Sequence, residues 1–268
     1  MAIPKKIHWC WLSGDPLPKH LQKCINSWKK FMPDYELVLW DKNRFDIHSA
    51  KFVEDACKSK KWAFATDYIR LYALYTEGGI YLDSDVMVFR PFDKFLDHAA
   101  FSSIEYCPES ILSRNEDNKY CGYAIQAAII GSERGNEWIG KCLDHYRREK
   151  AFKMKGGVVD VEVIPDALAR YAHLYYGFQY DIPLDTPQFL SNDIVIYPPK
   201  VFSSTFSETN MHTYAIHIGD KSWITDKSWI ADQKLQIKKW YIMLCYNFRF
   251  FNMLHWRRKQ FCKMLKNK

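Results

Sequence analysis

The chain has no run of apolar residues near the roughly 20 needed to span a bilayer as a helix. Its start, MAIPKKIHWCWLSGD, lacks the apolar stretch of about 7–15 residues that marks a secretory signal. These two absences exclude, as first expectations, an integral helical membrane protein and an exported one. They place the chain in the cytoplasm or on the inner face of the cell membrane. Eight cysteines stand at 10, 24, 57, 107, 121, 142, 245 and 262 with no C-x-x-C pair among them, which leaves a zinc ribbon or redox dithiol without support. Reduced, mostly buried thiols are expected instead. No acidic residue falls between Lys234 and Lys268, and no linker stands out before about residue 231.

What is present is a foldable composition, 48% hydrophobic and 26% charged, which excludes a disordered or fibrous chain. Its 268 residues suffice for a sizeable core. Aromatics reach 16%, a surplus suited to flat, polar-edged ligands as well as to cores. The net charge of +7 is unevenly spread. Ten basic residues lie in 234–268, and the rest carries 28 basic against 31 acidic. The tail interleaves its charge with Trp240, Tyr241, Phe248, Phe250, Phe251, Trp256 and Phe261. That mixture suits an anionic membrane surface. A basic helix packed on the body and a nucleic-acid contact are the alternatives. The expected organisation is a catalytic domain over 1–233 and a basic, aromatic, helical tail over 234–268.

Periodicity predicts a strand over Ile3–Trp11, a helix over Leu17–Phe31 and a strand over Tyr35–Trp40, an α/β layer with parallel pairing. A second helix is expected from Trp62 to Thr76, stopped by Glu77-Gly78-Gly79. A short strand, Ile80–Leu82, then delivers Asp83-Ser84-Asp85 at its C-terminal end, where open α/β sheets bind ligands. Val86–Phe89 continues extended. Further on, strands are expected over Ala124–Ile130, Asp193–Tyr197 and Tyr214–Ile218, helices over Glu137–Lys150 and Ile164–Tyr175, and a loop over 219–226. Within and beyond that loop, Lys221-Ser222-Trp223-Ile224 recurs as Lys227-Ser228-Trp229-Ile230.

Two carboxylates two residues apart at a strand end, Asp83 and Asp85, can share a hard divalent cation such as Mn²⁺ or Mg²⁺. Such pairs also occur by chance, so the context decides. On the preceding helix Asp67 and Arg70 stand three apart, hence on one face. Alone they read equally well as a surface ion pair.

The run Ala65-Thr66-Asp67-Tyr68-Ile69-Arg70, with Leu74-Tyr75 and Gly78 through Val86, resembles the signature of glycosyltransferase family 32. That group holds capsular-polysaccharide and mannosyl transferases with a D-x-D motif, and the clostridial glucosylating toxins are more distantly similar. The opening Ile3 to Trp11 is similar to the family's first strand, and Ala215-Ile216-His217 with Ser222-Trp223 resembles its third motif. The resemblance implies a GT-A type, Rossmann-like nucleotide-sugar transferase fold, a retaining reaction and a Mn²⁺ or Mg²⁺ ion. It implies metal ligation by Asp85 and His217, with Asp83 on the ribose or reaching the metal through water. Asp67 and Arg70 would hold donor sugar and ribose. Trp11 would stack on the base, or serve as core. Ser222 and Trp223 would close over the pyrophosphate, with Lys221 or Lys227 neutralising it, and Gln126 is a further candidate for a sugar contact. His217 reads otherwise as a buried, hydrogen-bonded histidine. The expected acceptor is a lipid-linked, cell-surface glycan of a bacterium, and no nucleic acid is expected as partner. A non-enzymatic membrane or nucleic-acid adaptor, a D-x-D phosphatase and a transferase that binds donor without turnover are the rival readings.

Overall fold

The computed structural model describes residues 2–106, 123–148, 152, 154–155, 158–180, 182–203 and 209–219. The tail over 234–268, its boundary at 233, and Lys221, Ser222 and Trp223 lie outside the described residues. So do the repeated Lys-Ser-Trp-Ile and Cys107, Cys121, Cys245 and Cys262. The remaining cysteines, Cys10, Cys24, Cys57 and Cys142, are buried and in no disulfide, as expected. No described helix is long and apolar enough to cross a membrane.

The first layer forms as the periodicity predicts. Strand β1 (Lys6–Cys10), helix α1 (Lys19–Phe31) and strand β2 (Glu36–Trp40) follow in order, and β1 pairs with β2 in parallel. A short helix, α2 (Lys51–Lys58), was not expected from the spacing. It precedes α3 (Trp62–Glu77). Helix α3 ends because Gly78 and Gly79 take φ of +68° and +114°, in the left-handed region that favours glycine. A Cβ on Gly78 would meet the Arg134 backbone nitrogen at 2.7 Å, so the stop is also a close approach. The buried His8 ring secures this corner. Its Nδ1 accepts from Trp40 Nε1 at 3.0 Å, so Nε2 carries the proton and donates to Gly78 O at 2.7 Å. Burial lowers its pKa, consistent with that neutral tautomer.

Strand β3 (Gly79–Leu82) then pairs with β1 in parallel, and all four of its residues are buried. Beyond β3 the layer is mixed rather than purely parallel. Strands β5 (Ala100–Tyr106), β7 (Ile129–Ser132), β10 (Gln188–Leu190) and β11 (Ile194–Tyr197) complete the order β10-β11-β5-β7-β3-β1-β2, with β7 antiparallel to both neighbours. The single strand expected over Ala124–Ile130 is two: β6 (Tyr123–Ile125), which pairs with β5, and β7. The chain changes partners at Gln126-Ala127-Ala128. There Gln126 N donates to Ser103 O at 2.8 Å, and Ala128 O accepts from Asp83 N at 3.0 Å.

A second, smaller sheet has the order β12-β13-β4, from β4 (Val86–Val88), β12 (Phe202–Ser203) and β13 (Ala215–His217). Helices α4 (Glu137–Arg148) and α5 (Ile164–Tyr176) cover the large sheet with α3. Asn136 Oδ1 caps α4 by accepting from Trp138 N at 3.1 Å and Ile139 N at 3.3 Å. Gly177, left-handed at φ +87°, closes α5. A two-residue pair, β8 (Met154–Lys155) and β9 (Val158–Val159), lies between them in sequence. Two main apolar clusters form, one under α2–α5 and one between α1, β4 and the aromatic group Phe92, Phe95, Phe101 and Phe202.

Candidate active site at the D-x-D turn

The D-x-D stands where the two sheets meet. Asp83 closes the large-sheet strand β3, and Asp85 opens the small-sheet strand β4. The tight turn between them is fixed by Val86 N donating to Asp83 O at 2.9 Å. Residue His217 arrives on β13, paired antiparallel to β4 in the register His217↔Val86.

These three side chains converge. His217 Nε2 lies 3.3 Å from Asp85 Oδ1 and 3.9 Å from Asp83 Oδ2. One donor atom from each of the three lies within 4.8 Å of the others. Burial alone would lower the His217 pKa. The Asp85 charge and hydrogen bond outweigh it, with Asp83 and Glu105 adding, and push it up to about 9. Two carboxylates converging on one imidazole are a donor set that fits a divalent cation of the Mn²⁺ or Mg²⁺ kind.

Behind the carboxylates lies a buried network on α3. Arg70 Nη2 sits 3.0 Å from Asp67 Oδ1 and 3.3 Å from Asp83 Oδ1, and Nη1 donates to Ala127 O at 2.7 Å. The guanidinium lies over the Tyr81 ring, 4.6 Å from its centroid. Tyr81 Oη donates to Asp83 Oδ1 at 2.9 Å. Asp83 therefore presents one oxygen to Arg70 and Tyr81 and the other toward His217. Burial opposes the Arg70 charge, but Asp83, then Tyr81 and Asp67, keep the guanidinium firmly protonated. Burial raises the Asp67 carboxyl to about 7 against the pull of Arg70, with Asp83 adding to the rise. Asp67 and Arg70 are thus no surface pair: they are 8% and 4% exposed.

The remaining candidates divide. Trp11 follows β1 and, by the His8↔Tyr81 register, stands at the same sheet end as the D-x-D. Its Nε1 donates to Asp15 O at 2.7 Å, tying the loop after β1. Gln126 adjoins the site through the bend that supplies the Ala127 and Ala128 carbonyls, but its side chain is fully buried, with Oε1 3.4 Å from Ser103 Oγ. Tyr81 was not singled out from the sequence. Its position two residues before Asp83 on a strand, hence on one face, was the available signal.

Residues 18–102 match the family model described as a glycosyltransferase sugar-binding region containing a DXD motif. The chain carries that region, and the resemblance read from the sequence holds there. Over 173 residues the chain is 27% identical to subversion of eukaryotic traffic protein A of Legionella pneumophila, covering 53% of this chain and 24% of that protein. Over 104 residues it is 32% identical to inositol phosphoceramide mannosyltransferase 3 of Schizosaccharomyces pombe, covering 37% and 29%. The chain thus spans under a third of the length of these curated relatives. Among solved structures, the PaToxG glycosyltransferase aligns at a TM-score of 0.45 and 19% identity, covering 65% of this chain and 70% of that one.

Proposed function

We propose that this protein is a metal-dependent glycosyltransferase of GT-A type that moves a hexose or N-acetylhexosamine from a nucleotide sugar to a glycan hydroxyl. The observation that carries the reading is the convergence of Asp83 and Asp85, which lie within the matched sugar-binding region, with His217 from β13 at the C-terminal end of β3. A divalent cation held by these three would supply positive charge where the diphosphate leaving group gathers negative charge. Asp85 and His217 would ligate, and Asp83 would share the ion or the ribose with its free oxygen. Arg70 and Tyr81 hold Asp83 in place for that role. Asp67, buried beside Arg70, would accept a hydrogen bond from a sugar hydroxyl. No described carboxylate stands out as a covalent nucleophile, so a retaining transfer would proceed by front-face attack.

A UDP-sugar is the favoured donor. The 32% identity to a mannosyltransferase favours GDP-mannose as the second reading. Lys221, Ser222 and Trp223 would close over the pyrophosphate. The tail over 234–268 would hold the enzyme on the inner face of a bacterial cell membrane, near a lipid-linked acceptor of capsular type.

Calorimetric titration with UDP and with GDP, each with and without Mn²⁺, tests the reading. Mn²⁺-dependent binding of one nucleotide is expected and selects the donor class. A folded protein that binds neither overturns it. For the tail, deletion of 234–268 is expected to abolish sedimentation with phosphatidylserine vesicles. Unchanged sedimentation would reject the membrane role.

A further inference from the structure

Asp83 directly follows a strand of the large sheet, whereas Asp85 directly precedes, and His217 ends, a strand of the small sheet. Beyond the Val86 N to Asp83 O bond of the turn, their spacing depends on how the small sheet is held. Strand β4 is an edge strand in the order β12-β13-β4. Along it, Asp85 O accepts from Ile218 N at 3.1 Å and Phe89 N donates to Tyr214 O at 2.8 Å, so Asp85 and Phe89 face β13. Val86 and Val88 face the opposite way, where a buried edge would leave polar backbone groups without partners.

Helix α1 fills that place with two consecutive side chains. Trp28 Nε1 donates to Val86 O at 2.8 Å, and Ser27 Oγ accepts from Val88 N at 2.9 Å. The Ser27 hydroxyl passes its own proton toward Cys24 O at 2.5 Å, which fixes its acceptor lone pair toward β4. Ser27 and Trp28 are both fully buried. Cys24, on the same helix, packs in a cluster with Met87 of β4, Ile216 of β13 and Ile218 just after it. The two side chains stand in for a missing neighbouring strand, and the residue they grip first, Val86, follows Asp85 directly.

We infer that Ser27 and Trp28 are positioning residues for the metal site, which set the separation of Asp85 and His217 from Asp83 by clamping the outer edge of β4. This rests on the metal reading above. Outer partners of ligands commonly change metal affinity by about 10–100-fold. Here they act on a ligand's backbone.

The test compares losses of like kind. Trp28→Phe removes one buried indole N–H bond to a carbonyl. Trp138→Phe removes another of the same type, Trp138 Nε1 to Leu168 O at 3.1 Å, between α4 and α5 and away from the ligands. Mn²⁺ alone is titrated into the full chain, with free Mn²⁺ read by electron paramagnetic resonance. Trp28→Phe and Ser27→Ala are expected to weaken Mn²⁺ binding about tenfold, Ser27→Thr to restore it, and Trp138→Phe to stay within about twofold of wild type at a similar loss of Tm. Should Trp28→Phe not fold, Ser27→Ala carries the comparison. Wild-type affinity in both clamp variants, or equal weakening by Trp138→Phe, overturns the inference and leaves the metal reading standing. Wild type indistinguishable from Asp85→Asn overturns both.

Discussion

Two clusters of charge, one between α4 and α5 and one at the D-x-D turn, differ in their chemistry. The cluster between α4 and α5 is closed: Arg170 Nε and Nη2 grip Glu162 Oε1 and Oε2 at 2.8 and 2.6 Å, and His145 Nε2 adds a contact to Oε2 at 3.1 Å. Both Glu162 oxygens are engaged by the Arg170 guanidinium. The cluster at the D-x-D turn sets three carboxylates, Asp67, Asp83 and Asp85, against Arg70 and one histidine. Two of its carboxylate oxygens converge with the His217 nitrogen. A closed cluster serves the fold, whereas an open one, short of positive charge, can receive a cation.

The largest effect that would break this contrast is at Asp85. Asp85→Asn is expected to weaken Mn²⁺ binding and turnover by about 100-fold or more. It should leave Tm unchanged or raised, since it removes one of the like charges; a large fall in Tm would make the cluster structural. The same contrast has a pH signature. Asp85 favours a proton on His217, which on the metal reading would compete with a ligand bond. Mn²⁺ affinity is therefore expected to rise between pH 6 and 8, by up to about tenfold per unit. A flat titration would remove His217 from the donor set.

Arg70→Gln comes next. It leaves Asp67 and Asp83 without their buried countercharge and should cost about 3–5 kcal/mol in urea unfolding. A loss under about 1 kcal/mol would mean that the carboxylates relax to water. The closed cluster should respond to acid instead. Burial opposes the Glu162 charge, but the Arg170 hydrogen bonds, with His145 close by, outweigh it and hold the carboxyl at about 2, below its ordinary value of 4.5. Its stabilisation is then complete above pH 4.5 and lost as pH falls toward 2. Glu162→Gln should cost about 2 kcal/mol at pH 7, discounted for its partial exposure, and nearly nothing near pH 2. An equal cost at both ends would assign the effect to packing. The smallest effect is outside both clusters: Lys58→Ala, breaking the exposed pair to Glu54 at 2.9 Å, should change stability by under about 0.5 kcal/mol.

Much of the site was legible because its carriers are local. Helix α3, the Gly78-Gly79 stop, β3 and the D-x-D follow one another without interruption, and each is set by spacing within a few residues. The paired positions of Asp67 and Arg70 follow from one helical turn. The split at Gln126 was not legible, because a strand's partner change is decided by the strands around it. Strand β5 and helix α2 were missed for a related reason: β5 is buried over most of its length and carries no clean alternation, and α2 is barely two turns long.

The sequence by itself determined which chemical groups are present, and on which helix and strand most of them ride, because periodicity and glycine stops act over neighbouring residues. Only the tertiary structure decided that Arg70 turns its guanidinium onto Asp83 as well as Asp67, that His217 comes within 3.3 Å of Asp85, and that α1 caps the edge of β4. Those contacts join residues from distant parts of the chain. Their geometry is set by how the two sheets and α1 pack, which no local pattern encodes.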